Sequence, residues 1–208
     1  MPGIIVVDPI TEIIPVTDLD TVQNFLKVYD LETEDREFLE RVIDAVTSWL
    51  EGPAMLNRRL LARDYAGTFD GDGSTWCYVY DSDGKRLAPI NSVTSLVISD
   101  VPVNVLPAAK ELVVYGGQGK LRLLKTSFTY DYVNVSIQLN AGFSELKLPP
   151  EITQGALELI QQKWNNRDKK NLDVVSISAL GESVSFRVED MHQETRAALM
   201  QHRLEAFA

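Results

Sequence analysis

The chain has 208 residues, 45% of them hydrophobic and 24% charged, with a formal net charge of −10. That apolar content suffices for one good core with an appended arm, and no apolar run approaches the length of a membrane span, so a soluble globular protein is expected. The only cysteine is Cys77 and the two histidines, His192 and His202, lie near the C-terminus. No His/Cys metal set or Cys–His nucleophile pair stands out, so neither a cofactor nor ordinary catalysis is expected.

The first residues, Met1-Pro2-Gly3-Ile4-Ile5-Val6-Val7-Asp8, lack the basic and long apolar regions of a secretory signal, which with the lone cysteine points to folding in a reducing, intracellular place. Residues 1–16 are apolar but broken by Pro2, Gly3, Pro9 and Pro15. This pattern predicts an extended arm of the kind that lies on a neighbour. Thr17-Asp18-Leu19-Asp20 then offers a capping hydroxyl and first-turn acids to a short helix carrying Leu19, Val22, Leu26 and Tyr29 on one face. A second helix is predicted from Thr33 to Leu50, with Phe38, Leu39, Val42, Ile43, Val46, Trp49 and Leu50 as its stripe and Gly52-Pro53 as its stop. Residues 1–51 hold 12 acids against 3 bases, a balance of −9, whereas residues 52–208 hold 18 against 17. The acidity therefore belongs to the N-terminal helices and opposes phosphate-driven binding there.

Arg58, Arg59 and Arg63 follow among apolar residues and read as a surface edge rather than a phosphate site. From Tyr65 to Leu139 the pattern changes to short strands, predicted at Trp76–Tyr80, Val93–Ile98, Glu111–Tyr115, Lys120–Leu124 and Val133–Leu139. In the last, Val133, Val135, Ile137 and Leu139 alternate with polar residues, as in a half-buried strand. Asp70-Gly71-Asp72-Gly73-Ser74 and Asp81-Ser82-Asp83-Gly84 resemble calcium loops but lack the closing bidentate glutamate, so turn chemistry accounts for both. Gly116-Gly117-Gln118-Gly119 lacks the Lys-Ser/Thr and following helix of a phosphate loop and reads as a hairpin turn.

Pro149-Pro150 opens the best-defined helix, in which Ile152, Ala156, Leu159, Ile160 and Trp164 share a stripe. Trp164 and Trp49 each lie on such a stripe, which predicts that the two helices pack together. Beyond a polar stretch, Gly181–Arg187 alternates as a further strand, and Ala197, Met200, Leu204 and Phe207 are spaced for one face of a terminal helix from about Met191. Such a helix, joined through a polar linker, is free to dock elsewhere. The fold class is thus α+β, a small helical core with a β-rich insertion and a C-terminal extension helix. Its parts are an arm at 1–16, a core at 17–168 with its β-rich part near 65–143, and a strand and docking helix at 169–208.

Several stretches recur in one order: Asp-Gly-Asp-Gly-Ser at 70–74, Pro89-Ile90-Asn91-Ser92-Val93, Leu139-Asn140-Ala141-Gly142-Phe143, Leu148-Pro149-Pro150-Glu151-Ile152, Trp164-Asn165-Asn166-Arg167 and Gly181–Arg187. Together with the acidic helix pair, this series resembles the head–tail connector (adaptor) proteins of tailed bacteriophages over most of residues 17–205. Asn140 and Phe143 stand where that family often has Thr and Tyr, and residues 1–16 and 100–131 have no counterpart.

The resemblance implies a non-enzymatic virion subunit, folded in the bacterial host cytoplasm, that forms a ring of about twelve copies below the portal at the capsid vertex. It further implies a ring that continues the DNA channel, without sequence-specific binding and without membrane contact, and offers a surface to the next connector, stopper or tail protein. The C-terminal helix, with Ala197, Met200, Leu204 and Phe207, becomes the expected portal contact. Glu34, Asp35, Glu37 and Glu40 become candidates for an acidic channel face along which DNA slides without sticking. The competing readings are a ligand-binding or enzymatic module built on the β-rich middle, and an assembly chaperone. The first needs convergent polar groups in a pocket, whereas the sequence shows only dispersed Asp and Ser in turns.

Overall fold

The computed structural model describes residues 3–9, 14–167 and 192–204, and divides into a β unit (Met1–Ile13, Arg58–Lys147) and a helical unit (Ile14–Asn57, Leu148–Ala208). The fold is α+β. The predicted strand at Gly181–Arg187 and the position of Phe207 lie outside the described residues.

The helical unit contains α1 (Leu19–Leu26), α2 (Thr33–Glu51), α3 (Pro150–Asn166) and α4 (Gln193–Met200). The cap of α1 is Asp18 rather than the hydroxyl of Thr17: Thr21 N–H donates to Asp18 Oδ1 at 2.6 Å, and a carboxylate there also meets the positive end of the helix dipole. Lys27 then turns the chain out with a left-handed φ of 59°. Val16 N–H donates to Thr47 Oγ1 at 3.0 Å, which ties the entry of α1 to the buried side of α2. Leu39, Val42, Ile43, Val46 and Leu50 are buried on α2, and Ile152, Ala156, Leu159, Ile160 and Trp164 on α3, as their spacing predicts.

The pairing of α2 with α3 is present, but the Trp164 ring meets Phe38, 6.4 Å between centroids and tilted 45°. Trp49 is only half-buried. Phe38 and Trp49 lie about three helical turns apart on α2, so the N-terminal end of α2, with Phe38 and Asp35, meets the C-terminal end of α3.

All strands lie in one eight-stranded sheet of order β5-β4-β8-β2-β1-β3-β7-β6. They are β1 (Gly3–Pro9), β2 (Arg63–Gly71), β3 (Trp76–Asp81), β4 (Ile90–Ile98), β5 (Val101–Pro102), β6 (Leu112–Tyr115), β7 (Lys120–Leu123) and β8 (Asp131–Ala141). The stretch predicted as an arm on a neighbour is instead β1, antiparallel to β2 and parallel to β3 in the middle of its own sheet. Pro9 closes this strand as its last residue rather than breaking it.

The sheet curls around Val7, Tyr65, Val79, Leu96, Leu121, Phe128, Val135, Ile137 and Leu139, all buried, until Gly116 at the end of β6 lies against the Ile90 carbonyl of β4. The alternation of β8 holds from Val135 to Ala141 but fails at Val133, which is 49% exposed because its backbone turns left-handed, at φ 46°.

Two of the connector-like motifs, at 89–93 and 139–143, meet at one joint. Ile90 pairs with Ala141 and Ser92 with Asn140 across β4 and β8, while Asn91 Nδ2 donates to the Gly142 carbonyl at 2.8 Å and to Asn140 Oδ1 at 2.9 Å. Gly142 N–H and Phe143 N–H donate to the Pro89 and Leu60 carbonyls at 2.8 and 2.7 Å. Gly142 has φ +112°, and a Cβ there would strike the Leu61 carbonyl, so both conformation and space require glycine.

Candidate assembly surfaces

On α2, Glu34, Glu37 and Glu40 are exposed and Asp35 is half-buried. Asp35 Oδ1 lies 3.7 Å from Arg167 Nε, and Glu40 accepts from Arg36 one turn earlier at 3.2 Å. Asp44, one turn beyond Glu40, has its carboxyl raised above the ordinary range, by burial first and by the Glu40 charge second. The four predicted acids thus share the N-terminal half of one helix, where Arg36 and Arg167 partly offset Glu40 and Asp35.

At the C-terminus the helix is shorter than its pattern and is not without a partner in its own chain. Leu199 is fully buried, and a Cβ added to Gly155 of α3 would come within 2.7 Å of its Cδ1, so the glycine is what lets α4 approach. Thr195 Oγ1 donates to Glu158 at 2.6 Å, and Leu204 N–H to the Leu56 carbonyl at 3.0 Å. The sequence stripe Ala197–Met200–Leu204 passes over Leu199, which carries the contact. Ala197 is exposed, while Met200 and Leu204 are half-buried.

The arginines read as a surface edge are buried. Arg58, Arg59 and Arg63 are 6%, 4% and 2% exposed. Arg58 Nε donates to the Ala88 carbonyl at 3.0 Å, and its guanidinium lies 4.7 Å from the Phe143 ring centroid. Arg59 pairs with Asp81, itself buried, and with Asp83. Desolvation first, and the nearby Arg86 second, lower the Arg58 pKa to about 10, so it stays charged at neutral pH. Arg58 thus braces the joint at Ala88 and Phe143, and burial withdraws all three arginines from any phosphate.

Both loops weighed as calcium sites are turns. Ser74 N–H donates to Asp72 at 2.9 Å, Val133 N–H to Asp70 at 2.6 Å and Lys85 N–H to Asp81 at 2.8 Å. Strands β6 and β7 pair antiparallel across Gly116–Gly119, as expected of a hairpin. Among the described residues no group of three or more His, Cys, Asp or Glu is placed to hold a metal ion, and no helix is long and apolar enough to cross a membrane. Cys77 points into the β core, where burial, and then the charge of Asp72, push its thiol well above the ordinary value.

One surface escaped the sequence reading. Trp76 and Tyr78 on β3 stand opposite Arg122 and Lys120 on β7, and Tyr115 on β6 stands opposite Lys120. Lys120 Nζ lies 3.9 Å from the Trp76 ring centroid. The outward alternation of Trp76, Tyr78 and Tyr80 was visible in the sequence, but the cations beside it come from a strand more than 40 residues away and only the register supplies them.

No family model matches the chain, and no curated protein sequence does. Solved structures do. A chain described as from the neck of an empty GTA particle computed with C6 symmetry matches with TM-score 0.62 and 15% identity, over 98% of both chains. One from the neck of the native particle computed with C12 symmetry matches with TM-score 0.55 and 18% identity, again over 98% of both. One from the virion of the native gene transfer agent (GTA) particle gives TM-score 0.57 at 15% identity over 97% of both. From end to end, this chain has the fold of subunits found in the neck of a gene transfer agent particle, in keeping with its resemblance to the head–tail connectors.

Proposed function

We propose that the protein is a structural head–tail connector subunit, assembling into a ring below a portal, continuing the DNA channel and presenting a surface to the next connector, stopper or tail protein. The observation that carries this reading is the fold agreement along 98% of both chains with neck subunits of particles computed with C6 and C12 symmetry. A ring of about twelve copies fits closed cyclic symmetry. The ordered connector-like motifs in the sequence support the same reading independently of the fold agreement.

In this reading Glu34, Asp35, Glu37 and Glu40 face the DNA path. Replacing all four with lysine is expected to create salt-sensitive DNA binding and to impair packaging or ejection while rings still form. Burst size from phage carrying the variant checks this, and a normal burst would retire the channel assignment.

Portal attachment is assigned to the outer side of α4 and the residues after it. Ending the chain before α4 would also strip Leu199 from Gly155, so a cleaner variant is Ala197→Asp with Phe207→Asp, which leaves the inner contact in place. This variant is expected to keep its melting temperature within a few degrees and to lose co-purification with portal. Retained portal binding would move the attachment to the β unit or the helical turns before α3.

A further inference from the structure

The outward face of β3, β7 and β6 carries an arrangement the connector reading leaves unused. Outward positions of a sheet with one solvated side are ordinarily polar. Here Trp76 and Tyr78 stand edge to face with centroids 5.5 Å apart, and Lys120 Nζ sits 3.9 Å from the first ring, 5.8 Å from the second and 5.6 Å from Tyr115. Arg122, opposite Trp76, is exposed. A lysine held over three rings has surrendered rotamer freedom before any partner arrives, which is the preparation an interface requires.

We infer that this face seats the acidic Tyr29-Asp30-Leu31-Glu32 turn of a second copy of this chain, joining neighbouring subunits head to tail. The inference rests on the ring reading above. A cyclic ring of more than two subunits needs two different surfaces on each copy that fit one another, and this chain carries such a pair. The turn between α1 and α2 presents Tyr29, 67% exposed, with exposed Asp30 and Glu32 beside it. Glu32 occupies the N-cap position of α2 yet makes no capping bond with its side chain, so its carboxylate is available to a partner. A ring followed by two carboxylates complements a strip of rings that carries two cations. The stretch lies within residues 1–51, whose balance is −9, so approach to a cationic face is also favoured at longer range. Single-stranded nucleic acid suits the face less well, because stacking needs open ring faces, and Lys120 covers that of Trp76.

Sedimentation of the full chain over a concentration series tests this by charge exchange. Lys120→Glu with Arg122→Glu, and separately Asp30→Lys with Glu32→Lys, are each expected to weaken self-association about tenfold or more. All four substitutions together are expected to recover most of that loss, since the pairing is restored with its sign inverted. Arg122→Glu alone, at an exposed position, serves if the change at Lys120 disturbs folding. Equal association of every variant, or a fourfold variant no better than its parents, overturns the inference and leaves the ring reading standing. A wild-type chain that stays monomeric at all concentrations overturns the inference, while the ring reading is tested separately with the portal present. Tight binding of a fluorescent single-stranded DNA oligomer that disappears in Arg122→Glu, with self-association intact, would make the face a nucleic-acid surface instead.

Discussion

Asp81→Ala is expected to destabilise the β unit by about 3 to 5 kcal/mol, because it leaves the buried guanidinium of Arg59 without its buried counter-charge. The Asp81 side chain is fully buried and that of Arg59 is 5% exposed, whereas the second partner, Asp83, is 60% exposed and held by solvent as well. Asp81 also accepts the Lys85 N–H at 2.8 Å, so its loss frees the turn that follows β3. Replacing both partners with apolar residues, Arg59→Met with Asp81→Leu, should cost clearly less than the single change, since no isolated charge remains. Denaturant unfolding of the two variants measures this. A loss below about 1 kcal/mol for Asp81→Ala would mean that the pair is far more hydrated than its burial indicates.

Trp164→Ala is expected to cost about 3 to 5 kcal/mol, the range for truncating a buried large aromatic. Its ring is 8% exposed, with Phe38 at 6.4 Å on one side and the Arg167 guanidinium 3.7 Å from its centroid. Arg167 in turn reaches Asp35, so the substitution also loosens an ion pair between α2 and α3. Trp49→Ala, at a half-buried position, should cost distinctly less. Thermal unfolding compares them, and equal losses would mean that Trp49 carries as much of the helix packing as Trp164.

Local chemistry was legible where a signal is complete within one segment. The prolines before Glu151, the stripe of α3 and the alternation from Val135 to Leu139 each specify an element without reference to anything distant. Elements defined by remote partners were not legible. Gly3–Pro9 becomes a strand only because β2 and β3 flank it, and Gly67 of β2 is required because a Cβ there would lie 2.8 Å from the Val6 carbonyl. The arginines at 58, 59 and 63 could not be known as buried without Asp81 and Ala88, which the fold brings from more than 20 residues away. The stripe on the last helix likewise missed Leu199, since its partner, Gly155, shows only as a gap in α3.

Two of the connector-like motifs come together in the fold, and for a physical reason. Pro89–Val93 and Asn140–Phe143 are adjacent on β4 and β8 and share the hydrogen bonds of Asn91 and Gly142, so each constrains the other's residue types.

The central claim is that this chain is a ring-forming subunit of a neck. Negative-stain imaging of the purified protein mixed with its portal tests it most directly. Closed rings stacked coaxially on the portal, with a central opening wide enough for duplex DNA, are the predicted result; separate portals and dispersed monomers at every ratio would contradict it.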